Sequence, residues 1–488
     1  MITVDWKPNR FSPVPIQKQI EQFIKEKIVN GEWTIGTKLP SQRALAQAFD
    51  VNRSTVVAAL DELTAAGLLA GNTGGGTRVI NTTWSLLASV SPTNWNANVE
   101  LGIHPPNLPT IQEINHAEFR SGIIRLGTGE LSPSLLPASE QMQQLFARQA
   151  ARPIPLGYQE AKGDSFLREQ IVQRLKKEGI ATSPDSVLIV SGALQALQLI
   201  AIGLLKKGST VLLENPSYLH SLHVFQSAGM KLQGVPMDPD GLQAELLPAY
   251  QKQFKGAILY SIPTFHNPTG NVMPAKRREE LLRVCDEQSL PIIEDDVYRD
   301  LWLDERPPCP IKAGDKNGNV LYLGSMSKSV SPGLRIGWLV GPQPVIERLA
   351  DIKMQIDYGA SSLSQWAAGE WIASGAYDQR LAVIREQLRV RRACMLNALE
   401  RNCRDLASWD YPTGGFYVWL RMHEAIPMKT LFDRALSAGI LLNPGHLYDR
   451  QEFGALRLSY AYASLEELQQ GIAALADIIR SLGATGRT

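Results

Sequence analysis

The chain has 488 residues, 44% of them hydrophobic and 20% charged, with a net charge of +1. That length exceeds one ordinary domain and fits two or three, and the composition is that of a globular protein rather than a disordered or fibrous one. The near-neutral charge excludes a uniformly basic nucleic-acid coat, but a small DNA-reading domain can sit inside a neutral whole: residues 1–80 hold nine Lys/Arg and seven Asp/Glu, a balance of +2.

Met1–Arg10 carry no long apolar run, and no stretch nears the roughly 20 apolar residues of a membrane helix, so a cytoplasmic location is expected. The four cysteines, Cys285, Cys309, Cys394 and Cys403, show no metal-ligand spacing. Buried, reduced thiols and no metal are expected.

Ile16, Ile20, Phe23, Ile24 and Ile28 recur at helical spacing and stop at Gly31. Ser41 then suits a helix N-cap, and the helix Gln42–Phe49 is expected to bury Leu45, Ala46 and Phe49. After the turn Asp50-Val51-Asn52, Asn52 suits a second N-cap. The next helix carries Val56, Leu60 and Leu63 on one face, opens with Arg53, Ser54 and Thr55 as exposed polar residues, and ends at Gly67. Two short helices joined by a tight turn have the geometry for entering a major groove. Leu68-Leu69-Ala70, a glycine-rich tip at Gly74-Gly75-Gly76 and Thr77-Arg78-Val79-Ile80 read as a β-hairpin wing. The alternative is a small helical cap or dimerisation module.

Leu39-Pro40-Ser41-Gln42-Arg43-Ala44-Leu45-Ala46, Val51-Asn52-Arg53-Ser54-Thr55-Val56 and Gly74-Gly75-Gly76-Thr77-Arg78-Val79 resemble the winged helix of the GntR regulator family. The resemblance spans residues 12–80. It implies that Arg43 and Arg53 contact phosphates, that Ser54 and Thr55 lie at the groove, and that the Gly75–Gly76 tip approaches the minor groove. Asn52 stands where the family more often has serine; both residues cap helices.

From residue 81 to 122 helical and strand periodicity fail, with Pro92, Pro105, Pro106 and Pro109 and scattered Trp84 and Trp95. This reads as a connector between a first domain at 1–80 and a second at 123–488. A flexible chain of that length spans about 35 Å on average.

Beyond it, apolar runs alternate with amphipathic helices: Ser186–Val190, Thr210–Leu213, Gly256–Tyr260, Leu290–Ile293 and Val320–Leu323. The expected fold class is α/β, a mostly parallel sheet covered on both faces, behind a mainly helical N-terminal winged helix-turn-helix. Chemistry in such sheets gathers at strand ends. The first run is followed by Ser191-Gly192-Ala193-Leu194, opening a helix whose N–H groups suit an anion. The second is followed by Tyr218, the third by Asn267-Pro268-Thr269-Gly270, the fourth by Asp295 and Tyr298. The fifth leads into Ser325-Met326-Ser327-Lys328 and on to Pro332-Gly333-Leu334-Arg335. Singly these are a turn, a cap or a surface lysine. In this order they present an anion cradle, a stacking ring, an amide, an acid with a phenol, and an amine with an arginine, the set that a phosphorylated pyridine aldehyde needs.

These motifs, with Gly157-Tyr158, Gly414-Gly415-Phe416-Tyr417 and Leu456-Arg457-Leu458-Ser459, resemble the fold-type-I pyridoxal-phosphate aminotransferases over about residues 123–485. The combination with the winged helix resembles the MocR subfamily of GntR regulators. The resemblance implies pyridoxal 5'-phosphate as cofactor, with Lys328 forming the internal aldimine and Asp295 on the pyridine nitrogen. By the same likeness Asn267 and Tyr298 meet the ring hydroxyl and Tyr218 stacks on the ring. Ser325, Ser327, Arg335 and the N–H groups of Ala193 and Leu194 take the phosphate. Tyr158 reaches the partner subunit's phosphate, which implies a homodimer, and Arg457 clamps the carboxylate of an amino-acid ligand. Residues selecting that ligand's side chain are expected on Leu131–Leu136 and Gly445–Arg450.

Two functions are compatible with this reading. One is a DNA-binding transcription regulator that senses an amino acid or amine by aldimine exchange at Lys328. The other is an active aminotransferase with a secondary DNA-binding domain.

Overall fold

The computed structural model describes residues 4, 6–29, 32–72, 76–80, 102–147, 152–452 and 454–485. They fall into two compact units, Met1–Ile103 and His104–Thr488.

In the first unit, helices α1 (Ile16–Val29), α2 (Gln42–Phe49) and α3 (Arg53–Ala65) precede a hairpin of β1 (Leu69–Asn72) and β2 (Gly76–Val79). Ile20, Ile24 and Ile28 of α1 meet Leu45 and Phe49 of α2 and Val56, Leu60 and Leu63 of α3 in one core, closed by Leu69 and Val79 of the hairpin. Ser41 caps α2, its Oγ accepting from the Ala44 N–H at 3.2 Å. Asn52 occupies the cap position of α3 with extended backbone but makes no side-chain capping bond, contrary to expectation. Its carbonyl accepts from the Thr55 N–H at 3.1 Å instead. The hairpin pairs in antiparallel register from Leu69↔Val79 to Asn72↔Gly76.

The second unit opens with α4 (Pro109–Ala117), which buries Ile114 and Ala117 against the core. This helix lies inside the stretch expected to be connector. Its nine residues offer one apolar step, Ile111 to Ile114, too short a pattern to stand out among prolines and asparagines. Trp84 and Trp95 lie outside the described residues.

An eight-stranded sheet follows from β4 (Val187–Val190), β5 (Thr210–Asn215), β6 (Lys231–Asp238), β7 (Gly241–Leu242), β8 (Gly256–Ser261), β9 (Ile292–Asp295), β10 (Val320–Ser325) and β11 (Gly337–Val340), β3 being the short Ile124–Arg125 strand. Its order is β4-β11-β10-β9-β8-β5-β6-β7. The central pairs β10–β9, β9–β8, β8–β5 and β5–β6 are parallel, while β11 runs antiparallel between β10 and β4. The carboxyl ends of β4, β5, β8, β9 and β10 therefore share one edge.

Both faces are covered, which is why the strands read as continuous apolar runs. Val211 and Leu213 face a layer with Leu197, Ile200, Ile346 and Leu349, whereas Leu212 faces Leu281, Val284 and Cys285. A smaller sheet, with strands Tyr417–Met422 and Ala455–Ser459 paired antiparallel, sets Arg457 opposite Trp419.

Among the four cysteines, Cys285 and Cys403 are buried, Cys394 is half-buried and Cys309 is exposed, so the expectation of uniformly buried thiols fails at two positions. Among the described residues no group of side chains could hold a metal ion, and no helix is long and apolar enough to cross a membrane.

Candidate functional site

A cavity of about 450 Å³ opens at the shared strand edge. It collects Ala193, Leu194, Tyr218, Asn267, Asp295, Tyr298, Ser325, Ser327, Lys328, Arg335 and Arg457. Tyr158 is not among its lining residues: it is 85% exposed, its ring 5.5 Å from that of Tyr358.

Strand alternation sorts the acids at the end of β9. Glu294 turns to the covered face and accepts from the N–H groups of Ile311 at 2.7 Å and Lys312 at 2.8 Å. Burial pushes its carboxyl up to about 7. Asp295 turns to the cavity, where its Oδ2 accepts from the Tyr260 hydroxyl at 2.7 Å. Its Oδ1 is buried without a partner. Burial pushes the Asp295 carboxyl up to about 6, against the pull of the Tyr260 hydrogen bond. A buried acceptor left open in this way calls for a donor from a ligand.

Lys328 follows β10 in a tight turn. Its Nζ donates to the Gly129 carbonyl at 2.6 Å and lies 5.8 Å from the centre of the Tyr298 ring. The Tyr298 and Tyr417 hydroxyls are 2.8 Å apart. Arg457 is buried; its Nη1 donates to Asn267 Oδ1 at 2.8 Å and its Nη2 to the Gly127 carbonyl at 2.7 Å. The guanidinium lies over the rings of Tyr417 and Tyr448, at 4.3 Å and 4.9 Å. Its Nε has no partner.

At the other end, the helix Ala193–Gly203 points its N-terminus at the cavity with no side-chain cap. Gly192 there has φ +92°, and a Cβ on it would stand 2.6 Å from Arg335 Nη2, so glycine lets the backbone approach the guanidinium. Arg335 donates to the Ser191 carbonyl at 2.7 Å. The Ser325 hydroxyl accepts from the Ser327 N–H at 3.1 Å, while Ser327 Oγ has no partner. The free N–H groups, hydroxyl and guanidinium make a cradle for a tetrahedral anion. A ring bearing that anion, with an electrophilic carbon at Lys328 and a protonated nitrogen at Asp295, fits the donor set.

The selecting loops are placed only in part. Leu447 and Tyr448 of Gly445–Arg450 line the cavity, but none of Leu131–Leu136 does. Ile111 and Ile114 of α4, with Glu118, Thr128 and Glu130, take that place. Reading the α4 stretch as connector hid them. Tyr260 and Asn443 carry no signal in the sequence, because each reads as an ordinary strand or turn residue.

In the first unit, Arg43, Arg53 and Ser54 are exposed, whereas Thr55, expected to be exposed, is half-buried at the foot of α3. Arg53 donates to Gln42 Oε1 at 3.0 Å, tying the two helices together. Gly76 has φ +83°, and a Cβ on it would stand 2.8 Å from Lys38 Cε. Lys38, not singled out in the sequence, thus adds a cation beside the wing. Gly75 lies outside the described residues.

Comparison with known proteins matches residues 16–79 to the bacterial regulatory proteins of the gntR family and residues 121–475 to aminotransferase class I and II. The chain is 54% identical to the HTH-type transcriptional regulator YisV of Bacillus subtilis (strain 168), over 99% of each chain. It is 35% identical to the HTH-type transcriptional regulator NorG of Staphylococcus aureus (strain N315), over 89% of this chain and 98% of that one. Among solved structures, the kynurenine aminotransferase of Pyrococcus horikoshii is similar with a TM-score of 0.73 and 30% identity, over 77% of this chain and 95% of that one. LysN, the alpha-aminoadipate aminotransferase of Thermus thermophilus complexed with N-(5'-phosphopyridoxyl)-L-leucine, gives 0.71 and 30%, over 78% and 96%.

Proposed function

Since the chain belongs to the HTH-type transcriptional regulators that join a GntR domain to a class I and II aminotransferase domain, the MocR-type architecture, we propose that it works as a cytoplasmic homodimer that binds DNA and uses pyridoxal 5'-phosphate to sense an amino acid or amine at Lys328. The observation that carries this reading is one cavity holding Lys328, the open Oδ1 of Asp295 and the Gly192–Arg335 cradle, on a chain whose other unit exposes Arg43, Arg53 and Ser54. The phosphopyridoxyl-leucine of the similar LysN structure supports the choice of cofactor.

When bound, pyridoxal phosphate supplies an electrophilic carbon that condenses with amines and a ring that withdraws electrons. Lys328 would hold that carbon. Asp295 would keep the ring nitrogen protonated, and Asn267 and Tyr298 would meet the ring hydroxyl beneath the face of Tyr218. Ser325, Ser327, Arg335 and the N–H groups of Ala193 and Leu194 would take the phosphate, with Tyr158 reaching the partner's. Arg457 would hold the ligand's carboxylate. Lys328 would be freed where a ligand amine took its place, and differential closure of the cavity residues around that ligand would bias the DNA units between two states.

In the first unit, Arg43 and Arg53 would neutralise phosphates, Ser54 and Thr55 would lie at the groove, and the Gly75–Gly76 tip, with Lys38 beside it, would approach the minor groove. The test is a mobility shift of the holo-protein on DNA upstream of its neighbouring genes, with and without a panel of amino acids. An effector-dependent shift is expected; failure to bind any such DNA at low salt refutes the regulator. The intact trio Lys328, Asp295 and Arg457 favours a second reading, a working aminotransferase. Conversion of the bound cofactor to its amine form by an amino acid would support it.

A further inference from the structure

The charges lining the cavity do not all find a task in the proposed site. Asp295 answers the ring nitrogen, Arg335 the phosphate, Lys328 the carbonyl carbon and Arg457 a carboxylate. Glu118 and Glu130 are left over, and both line the same cavity. Glu118 Oε1 accepts from the Thr128 hydroxyl at 2.8 Å, and no cation of the described residues pairs with its carboxylate. Among the described residues Glu130 has only Arg125 as an ion-pair partner, at 3.8 Å, while that guanidinium also lies 4.4 Å from the centre of the Tyr462 ring.

Two carboxylates facing one cavity repel each other unless a cation joins them. The Glu130 carboxyl is pushed up by burial first and by Glu118 next, against the pull of Lys328 and Arg125. Ile111, Ile114 and Leu222 line the same cavity, apolar side chains suited to methylene groups. The independent sign that a ligand completes the cavity is Arg457: 5% exposed, without a carboxylate partner among the described residues, its Nε open. The cavity therefore offers a buried cation, two acids and apolar side chains.

Resting on the cofactor reading above, we propose that this site selects an amino acid whose side chain ends in a cation, a basic diamino acid, with Arg457 on its carboxylate, Lys328 displaced by its α-amine, and Glu118 and Glu130 on its distal charge. A neutral isostere would bring no cation to either carboxylate, and an acidic amino acid would be repelled by them.

The experiment titrates the full-length holo-protein with L-lysine, L-ornithine, L-norleucine and L-glutamate, followed by calorimetry and by the visible spectrum. A diamino acid is expected to bind at least about tenfold tighter than norleucine, the scale of one well-placed ion pair. In the Glu118→Gln, Glu130→Gln double variant that ratio should fall towards one, and Glu118→Lys should turn the preference towards glutamate. Retention of the visible cofactor band serves as the folding control. If the wild type loads cofactor yet binds norleucine as tightly as lysine, or binds neither, or if the double variant keeps the full preference, the inference is overturned while the cofactor reading stands. If the chain takes up no pyridoxal phosphate, that reading fails and the inference with it.

Discussion

Arg457 Nη1 donates to Asn267 Oδ1 at 2.8 Å, and no carboxylate of the described residues shares the buried guanidinium. A buried arginine held by amide, carbonyl and aromatic faces keeps its charge available for an anion that arrives from outside. Arg457→Met is expected to weaken amino-acid binding on the order of a hundredfold while the cofactor band persists, because a bidentate charge-assisted pair is lost. Arg457→Lys should recover only part of the affinity, since a point charge does not reproduce the planar fork. Calorimetric titration of the loaded protein reads both.

Lys328 is the only amine that lines the cavity among the described residues. Lys328→Ala is expected to abolish the visible absorption band of a lysine-linked cofactor. An unchanged band refutes the assignment. The Gly129 carbonyl that accepts from its Nζ would lose that donor, yet Gly129 lines the cavity, where water can replace it, so the variant should fold.

Asp295 sets a pH dependence. Its folded-state carboxyl lies near 6, above the ordinary aspartate value. The native protein without cofactor thus holds a proton that the unfolded chain has already released. The stabilising contribution of this group is fullest at low pH and is lost as pH rises through about 6. Asp295→Asn removes the buried charge and leaves an acceptor for Tyr260. The cofactor-free variant should match the wild type in melting temperature below about pH 4, gain on it as pH rises from about 4 to about 6, and exceed it by several degrees at about pH 8, the difference being worth about 3 kcal/mol at most. The same variant should hold cofactor at least about tenfold more weakly, having lost the charge opposite the ring nitrogen.

Gly192 has no room for a side chain at the cradle. Gly192→Ala must hold φ near +92° and displace the Arg335 guanidinium from Ser191. The backbone cost is on the order of 1 kcal/mol. Cofactor affinity is expected to fall several-fold, and competition by inorganic phosphate should weaken in parallel.

Arg43 is exposed on α2, and among the described residues no acid pairs with it. Arg43→Ala should weaken binding to all DNA sequences alike and lower the slope of log affinity against log salt by about one. A loss confined to one sequence would instead mark a base contact.

Much of this protein was legible in its residues because each motif is local. A β-strand, the turn after it and the start of a helix lie within a dozen positions, so Gly192-Ala193-Leu194, Asp295 with Tyr298, and Ser325 to Arg335 announce themselves one at a time. The winged helix is equally local: Ser41 caps α2, and the apolar faces of α1, α2 and α3 repeat at helical spacing. The chain order of strand ends pointed to the α/β fold and to its chemistry.

The tertiary structure decided what depends on pairing across distance. Arg457 meets Asn267 across 190 positions, and Lys328 meets Gly129 across 199. Nothing in a local pattern marks Tyr260 as the donor to Asp295, or tells that Glu294 accepts from the N–H groups of Ile311 and Lys312. The short helix α4, hidden among prolines, was too brief to show a periodicity. Only its packing brings Ile111 and Ile114 to the cavity, beside the Glu118 that follows it. Local propensity writes the list of parts, whereas close packing of segments far apart in the chain determines which of them face one another.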